Sequence, residues 1–272
     1  TDKNSTVIAL DIDQNDRIYV GAEDGIGYLQ RDQFGQRRFV SLSKFVPESA
    51  KPLSDIWRVH ASEDGVYFFT TTKILLWNEN AFSVYNLEST SYSQMVSDSL
   101  YMVEKDVGLV SFKNGAKQLI PGGELFADKR VQVVLPRSDG TILIGTRSNG
   151  LFIYDFKSVV PFTSEADGLL RGGMLYSGYR LADERFALGT IQAGAVLIRQ
   201  DGTVDQVLDR TSGLRDQTII SVFEDQDHGL WLSMLNGIAR VEIASPFSRF
   251  HTDQGINGGV ESILRYNGKI HT

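Results

Sequence analysis

The stretch RIYVGAEDGIGYL at Arg17–Leu29 returns as TILIGTRSNGLFIY at Thr141–Tyr154 and as LWLSMLNGIARV at Leu230–Val241. Each copy is an apolar run, a polar turn, and a second apolar run that opens at or near a Gly. Looser copies are VYFFTTTKILLW from Val66, LYMVEKDVGLVSF from Leu100 and FALGTIQAGAVLI from Phe186, and KIHT from Lys269 begins another. Aligned, they place Tyr19, Tyr67, Tyr101, Leu143, Ala187, Trp231 and His271 in one column. Successive steps are 48, 34, 42, 44, 44 and 40 residues, a mean period of 42. An all-strand pattern repeating at that period is the signature of a β-propeller, whose blades bury their faces only against neighbouring blades.

Working outward from the first copy, each unit reads as four strands. Val7–Asp11 is strand A, Arg17–Gly21 strand B, Gly25–Leu29 strand C and Arg37–Leu42 strand D. Helical periodicity is nowhere sustained, and the six prolines lie mostly in connections. The A–B connections carry Asp, Asn and Gly, as in Asp13–Asp16, Ser138-Asp139-Gly140 and Asp225–Gly229. These residues accept the positive φ of tight hairpins. The Gly opening strand C (Gly25, Gly108, Gly150, Gly194, Gly237) suits a tight B–C reversal. A second element, Gly168-Leu169, Gly213-Leu214 and Gly255-Ile256, with Pro52-Leu53 as a variant, precedes strand A. It predicts a D–A turn whose apolar residue plugs the groove between blades.

The expectation is therefore a single all-β domain over residues 1–272. It is a β-propeller of four-stranded antiparallel blades, six of them complete and a seventh partial. The blades fall at about 5–44, 52–88, 91–121, 128–164, 172–209 and 216–252, with the partial seventh at 257–272. Its strand A is expected at Val260–Arg265 and its strand B from Lys269. The sequence starts at Thr1 without a signal-peptide core and stops within that blade, so both ends read as cuts in a longer protein.

Composition limits the function. With 27 Lys+Arg against 34 Asp+Glu the net charge is −7, which argues against a nucleic-acid partner. The absence of cysteine excludes a disulfide framework, a thiolate nucleophile and Cys-ligated metal centres. No apolar run approaches the roughly 20 residues of a membrane-spanning helix.

Blade six carries a resemblance. Gly213–Val241 reads GLRDQTIISVFEDQDHGLWLSMLNGIARV, and it resembles the two-component regulator propeller repeat. That repeat runs Gly-Leu, an apolar strand, Glu-Asp, a Gly turn, Leu-Trp-x-Gly-Thr and Gly-Leu. Ser233 and Met234 stand where the family has Gly-Thr, while Gly145-Thr146 and Gly189-Thr190 keep it. The resemblance implies the extracytoplasmic sensor region of bacterial hybrid histidine kinases and related membrane regulators. There, ligand capture by a propeller is relayed to an output domain, and glycan breakdown products are associated ligands.

Other constellations favour scaffold over chemistry. Asp11–Asn15 and Asp225–Asp227 begin like calcium loops but lack the Gly and bidentate Glu that would complete them, so turn chemistry is the reading. His60, His228, His251 and His271 show no metal spacing. No Gly-x-Ser-x-Gly elbow occurs, and nothing singles out a pair among the 34 acids. The expectation is no catalytic site, metal or cofactor. The aromatic column reads as inter-blade packing, against a sugar-stacking platform.

One pattern points to a ligand. The D–A and B–C loops are expected at the same ends of the blades. They carry Arg130, Arg147, Arg171 and Arg215 with Gln217 and Asn236, and also Lys129 and Gln192. Clustered guanidinium groups suit bidentate capture of carboxylate or sulfate, although Glu23, Asp24, Asp55, Asp128 and Asp216 lie on the same loops. The function expected is non-enzymatic: a periplasmic or otherwise extracytoplasmic sensor domain of a two-component-type regulator. Its partners would be a small molecule or oligosaccharide, anionic ones included, the remaining domains of its parent chain and, in the full protein, a second copy. The alternatives are a secreted propeller lyase or glycosidase and a protein-interaction scaffold.

Overall fold

The structure, a computed structural model, describes residues 6–87, 90–97, 99–113, 115–243, 264–266 and 269–271. Contacts group the chain into two compact units, residues 1–171 and 172–272.

The first unit holds four antiparallel sheets, each with its strands in sequence order. Blade one is β1 (Val7–Ile12), β2 (Ile18–Ala22), β3 (Ile26–Arg31) and β4 (Arg37–Ser41). Blade two is β5 (Arg58–Ser62), β6 (Gly65–Phe69), β7 (Lys73–Trp77) and β8 (Phe82–Asn86). Blade three is β9 (Thr90–Val96), β10 (Ser99–Glu104), β11 (Gly108–Lys113) and β12 (Ala116–Leu119). Blade four is β13 (Val131–Pro136), β14 (Ile142–Thr146), β15 (Leu151–Tyr154) and β16 (Val159–Phe162).

A seven-residue helix, α1 (Asp167–Gly173), ends this unit and begins the next. In the second unit, β17 (Leu175–Arg180), β18 (Phe186–Thr190), β19 (Ala195–Ile198) and β20 (Val204–Leu208) form blade five. Blade six shows β21 (Ile219–Glu224), β22 (Gly229–Met234) and β23 (Gly237–Glu242) among the described residues. The fold is thus all-β, six blades of β-propeller type. The pair β24 (Leu264–Tyr266) and β25 (Lys269–His271) is antiparallel. It lies where strands A and B of the seventh blade were expected, but two strands are not a blade. The expected fourth strand of blade six, Gly255-Ile256, His251 and the turn expected at 267–268 lie outside the described residues.

The repeat column does what packing requires. Tyr19, Tyr67, Tyr101, Leu143 and Ala187 are buried. Each of the first two meets the following blade edge to face: Tyr19 meets Phe68 at 6.1 Å and Tyr67 meets Phe112 at 6.2 Å. Trp231 departs from the pattern. It is 37% exposed, and its indole Nε1 donates to Asp225 at 2.7 Å.

The Gly-Thr signature has two separate causes. A Cβ on Gly189 would lie 2.7 Å from Ile219 of the next strand A, and one on Gly21 would collide with Ile56 in the same way. Glycine there lets neighbouring blades close. Thr146 Oγ1 donates to Gly150 O at 2.8 Å while accepting the Asn149 N–H at 3.0 Å. Thr190 repeats this with Gly194 O and the Ala193 N–H, both at 2.8 Å. The threonine closes the B–C turn, whose last residue takes positive φ at Gly150 (+92°) and Gly194 (+75°).

The acidic A–B connections are Asx turns. Asp13 Oδ1 accepts the Asn15 and Arg17 N–H groups at 2.8 and 2.9 Å, and Asp225 Oδ1 accepts those of Asp227 and Gly229 at 2.9 and 2.8 Å. At the D–A turns, Gly213 has φ +100° and Leu214 is buried between blades five and six, as the repeat predicts. Gly168-Leu169 differs: both lie inside α1, and the buried residue is Leu170. Ser164 is the reason, because its Oγ accepts the Ala166 N–H at 3.1 Å and its carbonyl accepts that of Asp167 at 3.1 Å. That starts a helical turn and rotates the next residue inward.

Polar pins join adjacent blades as well. Asp11 Oδ2 accepts the Ala61 N–H at 2.8 Å, and burial pushes its carboxyl pKa up. Glu224 Oε2 accepts the Ala182 N–H at 2.6 Å. His60 Nε2 lies 3.1 Å from Ser93 Oγ, both buried, and burial together with Arg58 pushes the imidazole down to about 4.

Candidate anion-binding site

The B–C turn of blade four gathers three of the expected arginines. Arg147 is on the turn, and its N–H donates to Arg130 O at 2.8 Å. The connection entering blade four therefore runs directly against it. Arg171 comes from α1, on the connection leaving the blade. Its guanidinium lies over Gly150, where an added Cβ would fall 2.6 Å from Nη2 and 3.1 Å from Cζ.

These charges are poorly matched. Arg130 is exposed and Arg147 half-buried, and neither makes an ion pair among the described residues. Arg171 has only Asp167, at 3.8 Å, beyond hydrogen-bond reach. Asp167 Oδ1 is itself buried without a hydrogen-bond partner among the described residues. Lys129 is different. Its Nζ donates to Leu125 O at 2.8 Å and Asp128 at 2.7 Å, and the Asp128 carboxyl is held below its usual range by that lysine.

The remaining expected residues lie in the second unit. The Gln192 N–H donates to Gly173 O at 3.0 Å, and the Gly194 N–H donates to Gln217 O at 2.9 Å. Arg215 is exposed on the same connection as Gln217 and makes no ion pair among the described residues. Its neighbour Asp216 instead accepts the Thr218 N–H at 3.0 Å. Asn236 is exposed on the B–C turn of blade six, beside Leu235, whose N–H donates to Thr218 O at 3.1 Å. The structure thus brings Arg130, Arg147 and Arg171 around one turn, and in the second unit it sets Arg215, Gln217 and Asn236 on B–C and D–A loops.

Sequence reasoning missed the hairpin end of blade five. The largely buried Arg185 donates to Asp183 at 2.6 and 2.9 Å and to Asp205 at 2.5 Å, and Arg199 also pairs with Asp205. With Glu184, Gln200 and Asp201 they line an open groove of about 500 Å³. An adjoining cavity of about 320 Å³ is lined by Ala182, Asp183, Glu224, His228 and Ile243, and His228 Nδ1 lies 2.9 Å from Glu224 Oε1. The available signal was charge alternating across paired turns, Asp183-Glu184-Arg185 against Arg199 and Asp205. In blade six, Arg240 and then Trp231 hold the Asp225 carboxyl far below its usual range. That bond accounts for the exposed position of the Trp. Among the described residues no group of three or more His, Asp or Glu could hold a metal ion, and no helix is long and apolar enough to cross a membrane.

No protein-family model matches the sequence, and no curated protein matches it. Solved structures do. The extracellular domain of the hybrid two-component system BT3049 from B. thetaiotaomicron superposes with TM-score 0.58 at 15% identity. That match covers 89% of this chain and 45% of the other, so this chain spans less than half of that relative. Virginiamycin B lyase from Staphylococcus aureus, solved with quinupristin, gives TM-score 0.65 at 11% identity, covering 90% and 86%. The WD40 β-propeller domain of Doa1 gives 0.57 at 13%, covering 92% and 95%. At these identities the likeness is one of fold, and the fold is the β-propeller.

Proposed function

We propose that this chain is the ligand-sensing propeller of an extracytoplasmic, two-component-type bacterial regulator, and that it is not itself an enzyme. It binds a small molecule or oligosaccharide bearing carboxylate or sulfate and passes the signal to an output domain of its parent chain. The carrying observation is the meeting of Arg130, Arg147 and Arg171 at one B–C turn, two of them without an ion pair among the described residues. Guanidinium forks offer such anions paired, charge-assisted hydrogen bonds. The blade-six resemblance and the fold likeness to an extracellular two-component domain support the regulator setting. Binding would bias a two-state dimer of the full protein. In the same reading β24 and β25 are strands A and B of a seventh blade.

Calorimetric titration with uronate-bearing and sulfated oligosaccharides tests this. Each charge-assisted bond is worth about 1.5–3 kcal/mol, so Arg130→Ala with Arg147→Ala should weaken binding at least about tenfold. Unchanged affinity in the double variant removes the site.

The enzyme reading has one observation in its favour. His228 and Glu224 form a hydrogen-bonded pair at a cavity, the arrangement of a general base with its orienting carboxylate. Turnover of a bound glycan that is lost in His228→Ala would replace the sensor reading with this one.

A further inference from the structure

The C–D hairpin of blade one, QRDQFGQRR at Gln30–Arg38, carries three arginines against one aspartate in a chain of net charge −7. Its tip is built to hold its shape. Asp32 Oδ1 accepts the Phe34 and Gln36 N–H groups at 2.9 and 3.0 Å, and Asp32 Oδ2 takes Arg38 Nε at 2.8 Å. The main chain closes twice more, Asp32 N–H to Gln36 O at 2.8 Å and Gly35 N–H to Asp32 O at 2.9 Å. On this braced turn sits Phe34, 77% exposed, the most exposed large apolar side chain among the described residues.

A single exposed Phe is ordinary. Its flanks are not. Arg31 and Arg37 are directly opposed across β3 and β4, both exposed. Neither has an ion pair among the described residues, the one carboxylate of the hairpin being held by Arg38. Like charges facing each other across a ladder repel, so the pair stabilises nothing within the fold. Two adjacent guanidinium groups instead form a fork for phosphate oxygens, with an apolar side chain projecting beyond them. That order, cationic neck then apolar tip, matches a bilayer surface: anionic headgroups outside, acyl chains within.

We propose that this hairpin docks on an anionic phospholipid surface. Arg31 and Arg37 engage the phosphates and Phe34 enters the acyl boundary. The inference does not depend on the anion site of blade four, and its occupant is the bilayer, not a soluble ligand. A single aromatic and two cations give weak, reversible contact, enough to orient a domain already held near a membrane.

Flotation with phosphatidylcholine vesicles, with and without phosphatidylglycerol, tests it on the full chain. Binding should require phosphatidylglycerol and decline with salt, since the attraction is screened over about 10 Å at 0.1 M. Arg31→Gln with Arg37→Gln should lower the bound fraction at least about fivefold, as expected for two lost surface cations. Phe34→Ser should lower it without changing the salt dependence. All three positions are exposed, so melting temperatures should stay at the parent value and exclude misfolding. Equal binding to both vesicle types overturns the proposal, and so does binding to phosphatidylglycerol that survives either variant. Capture of an acidic protein with no vesicle binding also overturns it.

Discussion

At the B–C turn of blade four, Arg130 and Arg147 make no ion pair among the described residues, and Arg171 has Asp167 only at 3.8 Å. At the hairpin end of blade five, Arg185 and Arg199 are locked to Asp183 and Asp205. The residue type is the same and the outcome opposite, because the turn supplies Asp183 and the strand ladder Asp205 in one case and neither acts in the other. The ladder between β18, β19 and β20 holds the turn carrying Arg185 beside the strand carrying Asp205. At blade four Arg130 and Arg147 come from loops and Arg171 from α1, and only the helix spacing brings a counter-charge, Asp167 at 3.8 Å from Arg171. Cations joined to acids are part of the scaffold; cations left without an acid are available to a ligand.

The strongest way to break this comparison is Arg185→Ala. The variant removes the cation of the half-exposed Asp183 and one of the two cations on Asp205, Arg199 remaining, a loss of about 2 kcal/mol for charge-assisted bonds partly screened by solvent. The denaturant midpoint should fall accordingly while anion binding at blade four stays unchanged. If Arg147→Ala destabilised the fold as much as Arg185→Ala, the distinction between structural and available arginines would collapse.

His60 sharpens the comparison from the buried side. It is another cation-forming group without an acid beside it, but it is enclosed with Ser93, Phe69 and the nearby Arg58. Exposed guanidinium groups keep their charge in that situation, whereas a buried imidazole gives its proton up. Its folded pKa is depressed to about 4 from 6.5, so the neutral form belongs to the fold. The stabilisation is complete above about pH 6.5 and is lost as pH falls towards 4, where the folded state takes up the proton as well. The loss amounts to about 3 kcal/mol. Unfolding free energies measured between pH 7 and 4 should show this decline, and His60→Leu should flatten it. An equal slope in the variant would assign the acid sensitivity instead to carboxylates held low in the fold, such as Asp225 and Asp209, whose stabilisation is lost as pH falls.

What the sequence made legible follows from which forces act at fixed spacing. The column from Tyr19 to Ala187 and the Gly-Thr pairs recur because neighbouring blades within each unit meet through the same contacts, so one repeat interprets the others. Turn residues such as Asp13 and Asp225 were readable because an Asx turn closes within four residues. The convergence of Arg130, Arg147 and Arg171 was legible only as shared loop membership. That Arg130 lies against Arg147 depends on one backbone hydrogen bond, and that Arg171 lies over Gly150 depends on the path of α1. The helix itself was missed, because Gly168-Leu169 looks like Gly213-Leu214 until Ser164 is seen to start a turn before it. The network of Arg185, and that of Arg240, Trp231 and Asp225, was illegible for a related reason. Their partners lie 2 to 20 residues apart, at distances set by turns outside the repeat.

The smallest expected effect bears on Asp167, the acid nearest Arg171 among the described residues. Asp167 stands 3.8 Å from Arg171 with one carboxylate oxygen buried and unpartnered among the described residues. Such a carboxylate competes with an incoming anion for the same guanidinium. An i,i+4 ion pair of this kind is worth about 0.3–0.5 kcal/mol. Asp167→Asn should therefore tighten binding of a uronate or sulfate ligand by about twofold, with no change for a neutral sugar. The neutral amide costs less to bury than a carboxylate, which should leave the melting temperature unchanged or slightly raised. Weaker anion binding in this variant would reverse the assignment: Asp167 would then be holding Arg171 in place for the ligand, and the arginines of blade four would resemble those of blade five more than their loops suggest.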